Sequence, residues 1–302
     1  ETTSRNSPGG AFPCSPLVVI MADVSEIVKG FLLNAPPGEF LEVVSDVRTL
    51  LKNDGLLNSL APATFAEYNN TQYIKVDSPK GHKVLITKYG DLGNNEYLDP
   101  LGGIAITYDH IKQQVTGSRA LGGELNAEAE PFRKAFESAA EAYTAEHYMH
   151  GAQTTYSAKA GSSIVITTCI SSNLFNQKNF WGGRWRSTWT FKFTPGSGQC
   201  TMEGHIQIQV HYYEEGNVQL VTDTKKTKSI PVADAAALAQ AVFKAVDAIE
   251  GDFQNALDNS YRTMGTTTFK ALRRNLPITR SKIDWDKIMQ YRTGQSIAGG
   301  PH

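Results

Sequence analysis

The chain has 302 residues, 40% of them hydrophobic and 20% charged, which is enough to bury a sizeable core in one large domain or two ordinary ones. Its 29 Lys and Arg nearly cancel its 30 Asp and Glu, which excludes a uniformly basic, histone-like nucleic-acid binder but conceals local asymmetry. No apolar run approaches the roughly 18 residues of a membrane-spanning helix. Cys14, Cys169 and Cys200 are too few and too scattered for a disulfide framework or a zinc site, so a reducing, cytosolic compartment fits best.

Residues 1–22 are rich in Pro, Gly and Ser without a period and read as a flexible extension with no assigned function. Leu17 to Met21 is too short for a signal-peptide core and has no basic start. From 23 to 68 the pattern is helical. Val24, Ile27, Val28, Phe31 and Leu32 share one face, and Asn34-Ala35-Pro36-Pro37-Gly38 ends that helix because proline lacks the donor. A second helix carries Phe40, Val43, Val44, Val47, Leu50 and Leu51; a third, after Asn53-Asp54-Gly55, carries Leu56, Leu57, Leu60, Phe65 and Tyr68. Short links make these an antiparallel helix bundle.

A sheet region is expected over 69–231. Its first strands are 73–77, 84–87 and 104–108, with Gly90 to Asn95 read as a loop. A helix is inserted near 124–150, where Phe132, Phe136, Ala139, Ala140, Tyr143 and His147 share a face and Gly151 is the expected C-cap. A meander follows with strands 154–159, 163–170, 185–193, 205–213 and 218–222, separated by turns at Gly161, Gly182-Gly183, 195–198 and 215–217. Alternation is strict in Gly204 to His211, as in an antiparallel sheet covered on one side. The longest helix, 232–262, is expected to cross that sheet and cover it. The fold class is therefore α+β.

The last segment, 263–302, differs in kind. Residues 270–292 hold seven basic side chains and only Asp284 and Asp286 as acids, a local charge of +5 in a chain totalling -1. The basic positions include Lys270, Arg273, Arg274, Arg280 and Lys282; Leu276, Ile283, Trp285 and Ile288 interleave with them. Ser281 can cap a short helix in which Trp285, Ile288 and Met289 sit at i, i+3 and i+4. This basic amphipathic tail suits a helix-in-groove ligand of an acidic partner. The alternative reading is an arm that packs on its own body.

Several blocks carry a family resemblance. Phe31 to Phe40, Leu85-Ile86-Thr87 with Gly90 to Asn94, and Lys178-Asn179-Phe180-Trp181-Gly182-Gly183-Arg184-Trp185-Arg186-Ser187 closely resemble the α subunit of F-actin capping protein (CapZ). So do Val210 to Glu214 with Gly216 to Val221, and Phe269 to Trp285. Residues 1–20 and 294–302 depart from the family pattern. The resemblance implies an obligate heterodimer with the capping protein β subunit, the two sheets joining into one antiparallel layer. It implies binding to the F-actin barbed end independently of calcium, blocking subunit addition and loss, in the cytoplasm and its actin-rich cortex. It places Lys270, Arg274, Arg280 and Trp285 in the actin contact. Acidic phosphoinositides are implied as inhibitors, and an actin-related-protein filament of dynactin as a further target. An alternative of another class is a phosphoinositide-responsive membrane-peripheral module using the same tail.

No enzyme, cofactor or metal is expected. Glu146 to His150 places two histidines three apart but does not match H-E-x-x-H. His205 and His211 share a strand face about 20 Å apart, too far to chelate one ion. Asp91 to Glu96 lacks the order of a calcium loop, so turn formation explains it better. No P-loop or nucleophile elbow occurs. Asn69-Asn70-Thr71 is formally a glycosylation sequon, read as unused. Trp185 and Trp189 have equal parity and read as core, and the tail has too few aromatics to stack on nucleic acid.

Overall fold

The structure is a computed structural model describing residues 24–214 and 218–264. These fall into two compact units that meet in sequence at Ala236 and Ala237.

The first unit begins with α1 (Val24–Leu33), α2 (Phe40–Leu51) and α3 (Asp54–Gln72). Between α1 and α2 the chain reverses at Gly38, whose φ of +88° favours glycine. Asn53 caps α3, its side chain accepting from the Leu56 amide at 3.0 Å. Val28, Leu32, Phe40, Val47, Leu57, Phe65 and Tyr68 form the core of this region, with Phe40 stacked on Tyr68 at 4.0 Å and edge-on to Phe65 at 4.8 Å.

The five-residue stripe expected to be buried on α1 is divided. Val28 and Leu32 are inside, whereas Val24, Ile27 and Phe31 are exposed, Phe31 by 58%. The apolar arc of α1 is wider than the contact it makes with α2 and α3.

A hairpin of β1 (Ile74–Asp77) and β2 (Lys83–Ile86) follows. Next comes a four-stranded antiparallel meander of β3 (Asp91–Gly93), β4 (Glu96–Asp99), β5 (Ile104–Asp109) and β6 (Gln114–Ala120). Strands β3, β4 and β6 were not expected. The segment read as a loop is a tight hairpin, with Asn94 and Asn95 both at positive φ as a primed turn requires. Its arms are too short to show a period. Strand β6, Gln-Val-Thr-Gly-Ser-Arg-Ala, is polar and largely exposed, so it carries no burial signal.

Helix α4 (Glu130–His147) ends at Tyr148, earlier than expected. Gly151 is not its cap. It lies in the turn leading onward, its amide donating to the Tyr148 carbonyl at 2.9 Å, where a Cβ would crowd Thr144 and Tyr148.

The main sheet is antiparallel in the order β11-β10-β9-β8-β7. Its strands are β7 (Ala152–Ala160), β8 (Ser163–Asn176), β9 (Trp181–Thr194), β10 (Ser197–Tyr212) and β11 (Val218–Pro231). Each runs beyond its expected bounds at one end or both. Gly182 and Gly183, read as a turn, lie inside β9, where a Cβ on Gly182 would meet the Pro37 carbonyl oxygen at 2.7 Å. The reversal occurs instead over Gln177–Phe180, with Phe180 at φ 55°.

One face of this sheet packs on α4 through Phe136 against Phe191 and Phe132 against Phe193, both at 5.0 Å. The opposite face meets the end of α3: Tyr73 Oη and Thr188 Oγ1 lie 2.6 Å apart, and Arg184 donates to Gln72 at 2.8 Å. The second unit is α5 (Ala235–Met264), 30 residues long and about 45 Å at 1.5 Å per residue. Its stripe of Leu238, Val242 and Val246 is buried.

Candidate interaction surface

Every site residue expected from sequence, Lys270, Arg273, Arg274, Leu276, Arg280, Lys282, Ile283, Trp285 and Ile288, lies outside the described residues. So do residues 1–22, Cys14 and the turn at 215–217.

Among the described residues, the feature best suited to a protein partner is β11. It pairs with β10 from Val218 through Pro231 and, among the described residues, has no ladder on its other side. A free edge of 14 residues is a template for another strand. Its first turn-proximal residues are apolar and open, Val218 by 61% and Val221 by 69%, while Lys225, Lys226 and Lys228 occupy its later part. Near its start, an open groove of about 650 Å³ brings Gln219 and His211 together with Ile27, Phe31 and Val43. The unburied half of the α1 stripe and the open strand edge thus border one depression.

Of the histidines weighed as ligands, His205 and His211 each face a carboxylate. His205 Nε2 is 3.0 Å from Asp223, and the buried His211 Nδ1 is 2.5 Å from Glu39. No group of three metal-ligating side chains occurs among the described residues. Asp91 accepts from the Gly93 amide at 2.8 Å, a turn contact. Asn69 of the sequon is fully buried against His110. Trp189 is fully buried, and Trp185 is half-buried, 5.8 Å from Tyr148. Cys169 and Cys200 are buried, and burial pushes their thiols up to about 12 and about 11, which removes them as nucleophiles.

Two clusters escaped the sequence reading. Arg133, buried on α4, bridges Glu130 and Glu137 at 2.7 and 2.8 Å; the i, i+3 and i+4 spacing was the available signal. Arg184 and Arg186 are buried on β9 without an ion-pair partner among the described residues. Alternation alone gave no hint of that, because charged residues on a strand normally face water.

The family described as F-actin capping protein alpha subunit matches residues 28–296, including the basic segment. The chain belongs to the F-actin capping protein alpha-subunit family. It is 50% identical to the F-actin-capping protein subunit alpha of Dictyostelium discoideum over 275 residues, covering 91% of this chain and 98% of that one. The corresponding protein of Caenorhabditis elegans is 39% identical over 279 residues, with the same coverage. A solved homodimeric actin capping protein alpha subunit from Plasmodium berghei shares the fold with a TM-score of 0.68, at 21% identity over 78% of this chain and 90% of that chain. The family binds actin and belongs to the cytoskeleton; it is not a family of enzymes. No helix among the described residues is long and apolar enough to cross a membrane.

Proposed function

We propose that this α subunit acts as one half of an obligate heterodimer with a capping protein β subunit. The assembly occupies the F-actin barbed end without calcium and blocks both addition and loss of subunits. The observation that carries this reading is the family match, which runs through the basic tail as well as the folded body. The 14-residue open edge of β11 supports a partner sheet joining there, and the exposed Ile27 and Phe31 offer that partner an apolar contact.

In the tail, Lys270, Arg273, Arg274, Arg280 and Lys282 steer the chain to an acidic filament and set the association rate. Leu276, Ile283, Trp285 and Ile288 are the apolar anchors that set residence time. An exposed charge contributes about 1 kcal/mol or less, and a buried tryptophan about 2 or more. The same cationic strip makes acidic phosphoinositides competitors, and it serves equally on the actin-related-protein filament of dynactin. The protein works in the cytoplasm at the actin-rich cortex.

The test is co-expression with a capping protein β subunit, size-exclusion chromatography and seeded barbed-end elongation. A stable αβ complex that arrests elongation is expected, with arrest weakened when the chain is cut after Leu276. A monomer that leaves elongation at full speed overturns the proposal.

A further inference from the structure

On the face of the main sheet opposite α4, Thr188, Thr190, Glu203, Gly204, His205 and Gln207 floor an open groove of about 530 Å³, within the size range of small-molecule sites. Asn70, Thr71 and Tyr73 form one wall, Lys88 and Tyr89 another, and Lys225, Lys226 and Thr227 of β11 close the third side. The lining mixes polar and apolar surface, and hydroxyl and amide groups supply donors at its floor.

The charge balance of this groove is uneven. The Lys88 and Lys225 ammonium groups face it, Lys226 stands opposite Gly204 with its side chain on the other face of the sheet, and Glu203 is the acid among its lining residues. Asp223, on the adjoining strand, is engaged by His205 at 3.0 Å. Lys88, Lys225 and Lys226 make no ion pair among the described residues.

A third cation borders the same place. Arg186 stands opposite Gln207 in the β9–β10 ladder, two positions from Thr188 on the same face, and donates through Nη1 to the Thr71 carbonyl. Its side chain is buried to 6% exposure, and its Nε has no hydrogen-bond partner. A buried guanidinium with neither a carboxylate nor a full set of acceptors is costly unless an anion comes to it. Burial, followed by the neighbouring Arg184, holds its proton affinity down to about 10, consistent with the missing counter-charge.

We propose that this groove binds a small multivalent oxyanion, a phosphate- or polycarboxylate-bearing molecule, between Lys88 and Lys225, with Arg186 as the cation at its border. Charge-assisted contacts to two flexible ammonium groups suit an ion of that kind. The site is separate from the basic tail and does not depend on filament capping.

Isothermal titration of inorganic pyrophosphate into the full chain, in the assembly in which it purifies and at about 0.15 M salt, tests it. Saturable one-site binding is expected. A Lys88→Ala/Lys225→Ala variant should weaken it at least about tenfold. A charge-matched control, Lys112→Ala/Lys134→Ala, should leave it unchanged, as should Lys226→Ala, whose side chain lies on the other face of the sheet. Citrate, titrated in parallel, identifies the preferred chemistry by whichever ion binds more tightly. Absence of saturable heat with both ions, or equal weakening by both double variants, overturns the site.

Discussion

Gly204 stands directly across from Trp189 in the β9–β10 ladder, and the indole ring occupies the space that a Cβ on residue 204 would need. The tryptophan is fully buried there, so the ring cannot swing out to water and the backbone on either side is held by its ladder.

Gly204→Ala is therefore expected to destabilise by about 1–3 kcal/mol, the usual range for overpacking a core. Gly30 is the contrast: it lies inside α1 with nothing within 4 Å of its Cβ position. Gly30→Ala should stabilise by about 0.5–1 kcal/mol through helix propensity and chain entropy. Urea denaturation of both variants checks the pair. Equal effects would mean that the indole does not fill that space.

Two groups of carboxylates give stability opposite dependences on pH. Burial raises the Glu137 carboxyl above its ordinary value of 4.5, and Arg133 only partly offsets it. Its contribution is fully present below 4.5 and is lost as pH rises through the raised value. Glu96 and Glu124 are held low by hydrogen bonds from Arg119. Their contribution is present above 4.5 and is lost as pH falls through the lowered values. Glu137→Gln should flatten the decline on the alkaline side, and Arg119→Ala the decline on the acid side. Denaturation midpoints between about pH 3 and 8 read both slopes, and a variant that shifts the other limb contradicts its assignment.

Within the proposed capping role, charge and apolar contact in the tail should separate kinetically. Replacing Lys270, Arg274 and Arg280 with Glu is expected to slow association with filament ends more than it speeds release, with the difference shrinking as salt rises. Trp285→Ala should instead hasten release. Single-filament elongation records give both rates; an unchanged association rate in the triple variant would remove the steering role.

Periodicity made the long elements legible. Helix α5 and the strands of the meander were visible because their apolar residues recur at a fixed interval over many positions. Strands β3 and β4 were not, since three or four residues with polar flanks cannot show a period. The Gly182-Gly183 pair was misread as a turn because glycine serves turns and close approaches alike; contact with Pro37 selects the second use. The positive charge of 270–292 is a property of composition, whereas Arg186 without an ion-pair partner was invisible, because burial belongs to the fold rather than to the strand.

The sequence by itself determined the α+β class, the order of the long elements, the family and the concentration of positive charge in 270–292. These are properties of local composition and period, which a linear chain carries with it. Only the tertiary structure decided which half of the α1 stripe stays open, that β11 is an open edge among the described residues, and that a groove beside it brings Lys88 and Lys225 close to Arg186. Those outcomes depend on which surfaces the chain brings together from distant positions, and contact between distant residues is not encoded in the spacing of near ones.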